Sequence, residues 1–126
     1  MVADVAGFGE LGEMRRRFYG SARPEEGAAV MLYILGESMV GRRATDILSC
    51  AAYLKVLSGK PVTLVAARTA VIPAAHAFAA DRATFGATEF TERPPSWADQ
   101  LRGRGQIPYC DCVYGALRAY DWTDLQ

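Results

Sequence analysis

Pro61-Val62-Thr63-Leu64-Val65-Ala66-Ala67-Arg68-Thr69-Ala70-Val71-Ile72-Pro73-Ala74-Ala75-His76-Ala77-Phe78-Ala79-Ala80-Asp81 is the stretch whose reading decides the fold. Val62, Thr63, Leu64 and Val65 form a short β-rich run behind Gly59 and Pro61. Small residues then make a tight turn into an alanine-rich helix. Pro73 sits in the first turn of that helix, where a missing N–H costs nothing. Strand, tight turn, helix is the geometry of a nucleophile elbow or a phosphate loop. An elbow needs Gly-x-Ser-x-Gly, because small residues let strand and helix close around a strained nucleophile. Here the matching residues are Ala66-Ala67-Arg68-Thr69-Ala70, or Ala67-Arg68-Thr69-Ala70-Val71 one step on. A dinucleotide loop needs three glycines, and none lies between Gly59 and Gly86. The stretch therefore predicts a catalytic architecture whose chemical residue is missing or altered.

Working outward, residues 42–58 give the clearest helix: Ala44, Ile47, Leu48, Ala51 and Leu54 repeat at 3.6-residue spacing, and Gly59 closes it. Before it, Arg23-Pro24-Glu25-Glu26 is a helix start with proline early and acids in the first turn. Residues 28–35 are almost wholly apolar and fit a buried helix or a buried strand; the start signal favours helix. Between the two, Gly36-Glu37-Ser38-Met39-Val40-Gly41 resembles an elbow with one residue too many. Two readings are open for Ser38: helix N-cap at a helix–helix joint, or exposed nucleophile if residues 28–35 are a strand.

Residues 1–6 are a strand candidate, and Gly7-Phe8-Gly9-Glu10 is either a plain turn or a loop with backbone N–H groups free to form an oxyanion hole. Arg15-Arg16-Arg17-Phe18-Tyr19 reads as a solvated basic face rather than a nucleic-acid patch, since the chain's net charge is zero. Residues 83–91 are rich in β-branched and aromatic residues and predict the next strand. Ser96 caps a short helix, with Asp99 where a capping box wants an acid. Gly103-Arg104-Gly105 ends that helix, and the aromatic tail of residues 113–125 predicts a short helix and turn.

A chain of 126 residues makes one domain with a modest core. Zero net charge gives no general case for nucleic acid or an anionic membrane surface. The arginine excess over Lys55 and Lys60 matches the alanine abundance and reads as genomic bias. Cys50, Cys110 and Cys112 do not make a disulfide framework. Cys110-Asp111-Cys112 lacks partners for a zinc site in a chain with one histidine, so no metal and no cofactor are expected. His76 lies in the elbow helix about 10 Å along its axis from the turn, which favours packing over a base role. With no leader and no membrane-length apolar run in the sequence, the expected location is the cytoplasm.

The order of elements predicts a three-layer α/β sandwich with a short parallel sheet of about three strands. Such a sheet leaves edges and faces uncovered, so the chain is expected to form a homo-oligomer or to lack a C-terminal part.

The sequence also resembles the α/β-hydrolase superfamily, in particular bacterial acetyl xylan esterase-like and dienelactone hydrolase-like proteins. The phrases that carry the resemblance run from Leu35-Gly36-Glu37-Ser38-Met39-Val40-Gly41-Arg42 through Ala74-Ala75-His76-Ala77-Phe78 and Pro95-Ser96-Trp97 to Val113-Tyr114-Gly115-Ala116-Leu117 and Tyr120-Asp121-Trp122-Thr123-Asp124-Leu125. The resemblance implies a partial α/β-hydrolase fold in residues 1–126, a piece of a larger hydrolase-type domain acting on a small ester. It implies that Gly7, Phe8 and Gly9 form the oxyanion loop, and that Ser38 begins a structural helix. The elbow would comprise Ala66, Arg68 and Ala70, with the nucleophile position on Arg68 by one alignment and on Thr69 by the other. The acid and histidine of a triad would fall beyond Gln126.

Overall fold

The computed structural model describes residues 5–6 and 24–126. The strand expected over residues 1–6 is not seen at Val5 and Ala6, and its remainder, with Gly7, Phe8, Gly9 and the Arg15–Tyr19 cluster, lies outside the described residues.

Helix α1 spans Pro24–Ile34 with Glu25 and Glu26 in its first turn, where carboxylates suit the unsatisfied N–H groups. Gly36, at φ +78°, reverses the chain in a conformation only glycine takes without strain. Helix α2 follows at Met39–Ser58, three residues earlier than the apolar periodicity suggested. Its Ser38 N-cap accepts the Gly41 N–H, and Gly59 closes it in the left-handed region. Strand β1 is Val62–Ala67, helix α3 is Val71–Ala80, strand β2 is Phe85–Thr91, and a short helix α4 is Trp97–Arg102. Single 3-10 turns make up the rest, including Arg68–Ala70, Tyr109–Asp111 and Trp122–Leu125. Tail residues 113–125 thus form turns, with none of the α-helix their amphipathic pattern suggested.

β1 and β2 pair in parallel, which requires a crossover, and α3 supplies it. The register runs Val62 on Phe85, then Thr63 on Ala87, leaving Gly86 as an extra residue in β2. A side chain at Gly86 would stand 2.9 Å from the Pro61 ring, so the bulge depends on glycine there.

One face of this sheet is covered. Val62 and Leu64 pack on Ile47 and Leu48 of α2, together with Ala77 of α3 and Phe85. Ala66 and Phe90 join Ile72 and Ala75 of α3, Trp97 and Trp122 in the main core. On the other face, the pairs Thr63–Ala87, Val65–Glu89 and Ala67–Thr91 are exposed. The described residues therefore form a mixed α/β fold with a two-stranded parallel sheet and helices on one side. The expected third strand and second helical layer are not among them.

The tail fastens to the core through polar contacts at its one reversal. The Asp121 carboxylate accepts the Trp97 N–H at 3.0 Å and the Ala98 N–H at 2.9 Å, holding the start of α4. Asp121 and Asp124 also form a capping box on the last turn. The box expected at Ser96 is half made. Ser96 accepts the Asp99 N–H, while the Asp99 carboxylate turns to Arg102 at 2.8 Å.

Candidate functional site

Strand, tight turn and helix follow one another as the sequence predicts. β1 ends at Ala67, the chain turns through Arg68, Thr69 and Ala70, and α3 begins at Val71. Arg68 occupies the left-handed region at φ +56°, the conformation in which a strand-to-helix turn thrusts one side chain outward. The side chain there is a guanidinium, which has no lone pair to give and cannot attack a carbonyl. It pairs with Glu92 at 2.6 Å; Glu92, itself at φ +47°, follows the end of β2. Both strands thus end in a left-handed residue, and the two side chains meet in an exposed ion pair. An exposed pair of this kind adds little stability, about 0–1 kcal/mol.

Comparing Arg68→Gly with Arg68→Ala isolates the backbone term, because both lose the pair with Glu92. The glycine variant is expected to be more stable by about 1 kcal/mol in urea unfolding. Equal stabilities would mean that the left-handed turn is not maintained.

Thr69 is exposed in the same turn. The chain's one imidazole is committed elsewhere. His76 Nδ1–H donates to the Ile72 carbonyl at 2.8 Å, which leaves Nε2 to accept from the Tyr120 hydroxyl at 3.1 Å. Its ring lies 5.9 Å from Trp97 and 5.7 Å from Tyr120, centre to centre. The packing role expected for His76 is the one observed. Burial holds its pKa below the ordinary 6.5, against the bond to Ile72, which raises it. The folded state therefore disfavours the imidazolium, and stability present above pH 6.5 is lost as the pH falls through the depressed folded value. The urea midpoint of the wild type is expected to drop between pH 7 and 5.5, and the drop to shrink in His76→Phe, which keeps a ring but cannot titrate. The lone histidine also gives a single imidazole NMR titration, whose midpoint is expected below 6.5. A midpoint at or above 6.5 would contradict the assignment.

Ser38 is the N-cap of α2, its oxygen accepting the Gly41 N–H at 2.9 Å. The Ser38–Gly41 spacing that imitates an elbow is the spacing of a helix cap. A side chain at position 41 would come within 3.0 Å of Ser38 Oγ, which explains the glycine. Ser38 lines a cavity of about 450 Å³ between α1 and the tail, with Ala29, Tyr33, Met39, Tyr109 and Cys112. Arg68, Thr69 and His76 are not part of that lining, so the structure does not join the two candidate hydroxyls, Ser38 and Thr69, in one cavity.

The cysteines are free among the described residues. Burial, with Asp111 adding to it, pushes the Cys110 thiol up to about 12, and burial also raises Cys112. Both are thiols at neutral pH, so neither is an activated nucleophile. Among the described residues no group of three His, Cys, Asp or Glu side chains could hold a metal ion, and no helix is long and apolar enough to cross a membrane.

From the sequence Arg43 has no assigned role, and Asp111 enters only as part of Cys110-Asp111-Cys112. Arg43 is 1% exposed on the inner face of α2. It donates to the Ala6 carbonyl and to Glu25, both at 2.9 Å. Asp111 is buried nearby, with its Oδ1 lacking a hydrogen-bond partner. Burial raises the Asp111 pKa, and the Arg43 charge opposes this. The signal for Arg43 was its place beside Ala44 and one turn before Ile47, on the apolar stripe of α2.

No protein-family model, curated protein or solved structure matches the chain.

Proposed function

We propose that this chain is an esterase-like α/β-hydrolase module that does not hydrolyse esters by itself and works in assembly or binding. The observation that carries this reading is the turn after β1. It has the backbone of an elbow, with Arg68 at the apex and its guanidinium tied to Glu92. The fixed, neutral His76 supports it, since its imidazole is held by the Ile72 carbonyl and the Tyr120 hydroxyl and does not line the cavity that contains Ser38. In this reading the two observed layers belong to a three-layer α/β sandwich. Its second helical layer would lie on the face that carries Thr63, Val65 and Ala67. In this reading the module works in a reducing compartment such as the cytoplasm, which the unpaired thiols suit.

The test is intact-mass analysis after incubation with a fluorophosphonate serine-hydrolase probe, run beside an aryl-acetate assay. No adduct, and turnover equal to buffer, are expected. A stoichiometric adduct mapped to Ser38 or Thr69 would overturn the reading and make the chain an enzyme.

A further inference from the structure

We propose that the hollow between α1 and the tail binds a quaternary ammonium group, held against the rings of Tyr33, Tyr109 and Tyr114 beside the Glu37 carboxylate. The inference rests on the binding half of the reading above and names a ligand class for it.

The three tyrosines come together there from separate parts of the chain. Tyr33 is near the end of α1, Tyr109 opens a 3-10 turn of the tail, and Tyr114 lies further along the tail. All three line the cavity of about 450 Å³. Tyr33 and Tyr114 meet edge to face, with centres 5.5 Å apart and planes at 69°, so they form a corner and not a stack. The rings remain largely open: Tyr33, Tyr109 and Tyr114 are 56%, 66% and 81% exposed. A tyrosine ring gains by burial, so three open rings around one hollow mark a surface made to be covered.

Backbone bonds fix the walls. The Gly36 N–H donates to the Tyr33 carbonyl at 3.0 Å and the Glu37 N–H to the Leu32 carbonyl at 2.9 Å, which sets Glu37 just past the end of α1. The Tyr109 N–H donates to the Glu26 carboxylate at 3.1 Å, tying its turn to α1. Gly115, at φ +74°, turns the chain directly after Tyr114. Walls held this way need little ordering when a ligand enters.

Electrostatics selects the ligand. The face of an aromatic ring is negative, and a cation within about 6 Å of its centre is attracted. Glu37 lines both this cavity and a second hollow of about 510 Å³, and so do Tyr33 and Tyr114, which puts carboxylate and ring corner at one junction. No lysine or arginine is among the described residues that line either hollow. Arg42 reaches Glu37 at 2.8 Å from outside the lining, in an exposed pair of the kind that binds weakly and so competes weakly with a ligand. Ala29, Val30 and Met39 make the deeper wall apolar. A primary ammonium is strongly hydrated, and such walls offer little in exchange for its water. A nitrogen carrying methyl groups gives its charge to the rings and its methyls to the walls. An anion would meet a carboxylate and negative ring faces.

Proton NMR titration tests this with choline, with its uncharged tert-butyl isostere, and with a dipeptide containing trimethyllysine. Choline is expected to shift the ring protons of the three tyrosines saturably, with a dissociation constant in the millimolar range. The isostere is expected to bind at least about tenfold more weakly, because it has the shape without the charge. Tyr114→Ala is expected to weaken choline at least about tenfold, Glu37→Gln to weaken it severalfold, and Arg42→Gln, which frees the carboxylate, to tighten it. All three positions are exposed, so circular dichroism should report the wild-type fold in each variant. Tighter binding of the dipeptide than of choline would assign the ligand group to a protein side chain, and the reverse to a free small molecule. No saturable shift, equal binding of the isostere, or an affinity indifferent to Tyr114→Ala or to both charge substitutions would overturn the proposal. Probe labelling reads a nucleophile and the titration reads the rings, so an active enzyme and an empty hollow are told apart.

Discussion

Trp122→Ala is expected to cost about 4 kcal/mol of folding stability. Trp122 is 1% exposed and is the largest fully buried side chain. It lies in the main core with Ile72 and Ala75 of α3, Phe90 of β2 and Trp97 of α4, so it joins tail, crossover helix and sheet. Truncation opens a cavity that these elements cannot close, because each is held by its own contacts. The indole N–H also donates to the Pro95 carbonyl at 3.1 Å, a bond that the alanine variant loses while the carbonyl keeps the Gln100 amide. Trp122→Phe keeps most of the ring and is expected to cost about half as much. Against a typical domain stability of about 5–15 kcal/mol, that cost is a large fraction of the total. Urea unfolding followed by far-ultraviolet circular dichroism measures both variants. A cost below about 1 kcal/mol would mean that the tail is not packed as described.

The second large effect is expected at Arg43. Replacement by methionine keeps the stem but removes a buried cation, at a cost of about 3 kcal/mol. Glu25 is 39% exposed at its side chain and can turn to water, so its loss of partner contributes little. The Ala6 carbonyl and Asp111 contribute more. Asp111 has no such escape: it is buried, and without Arg43 the charge opposing desolvation is gone. Arg43→Met combined with Asp111→Asn is therefore expected to recover at least about 1 kcal/mol over Arg43→Met alone, a coupling that a double-mutant cycle measures. The pH dependence has a definite sign. Asp111 has a raised folded pKa, so its favourable contribution is complete below the unfolded value near 3.8 and is lost as the pH rises through the folded value. The penalty of Arg43→Met should accordingly shrink in acid. A strictly additive pair of substitutions would remove Asp111 from this account.

Local signals in the sequence were reliable wherever backbone chemistry alone decides. Pro24 with Glu25 and Glu26 marked the start of α1, Gly59 the end of α2, and Ser96 the start of α4. Residues 62–65 marked β1, which continues two residues further, and residues 83–91 overshot β2 by Ala83 and Thr84, which belong to a 3-10 turn. The capping reading of Ser38 was also within reach, since an N-cap and its third helical residue are three apart. The tail misled because aromatic residues at helical spacing look the same whether they stripe a helix or fold down through turns. Tyr120 packs against the core from between two 3-10 turns, and Trp122 goes inward at the start of the second, which Asp121 caps.

The sequence by itself determined that a strand, a tight turn and an alanine-rich helix follow one another here, and that no serine stands in that turn. Those facts depend on residue type and short spacing, which act before the chain is packed. Only the tertiary structure decided what the turn can do. It placed Arg68 at positive φ and brought Glu92 to it from the end of β2, 24 residues away. It fixed the His76 tautomer through Tyr120, 44 residues away, and set Arg43 between Glu25 and the Ala6 carbonyl. Among the described residues it put helices on one face of the sheet only. Long-range pairing and burial set protonation and exposure, and neither can be read from neighbours along the chain.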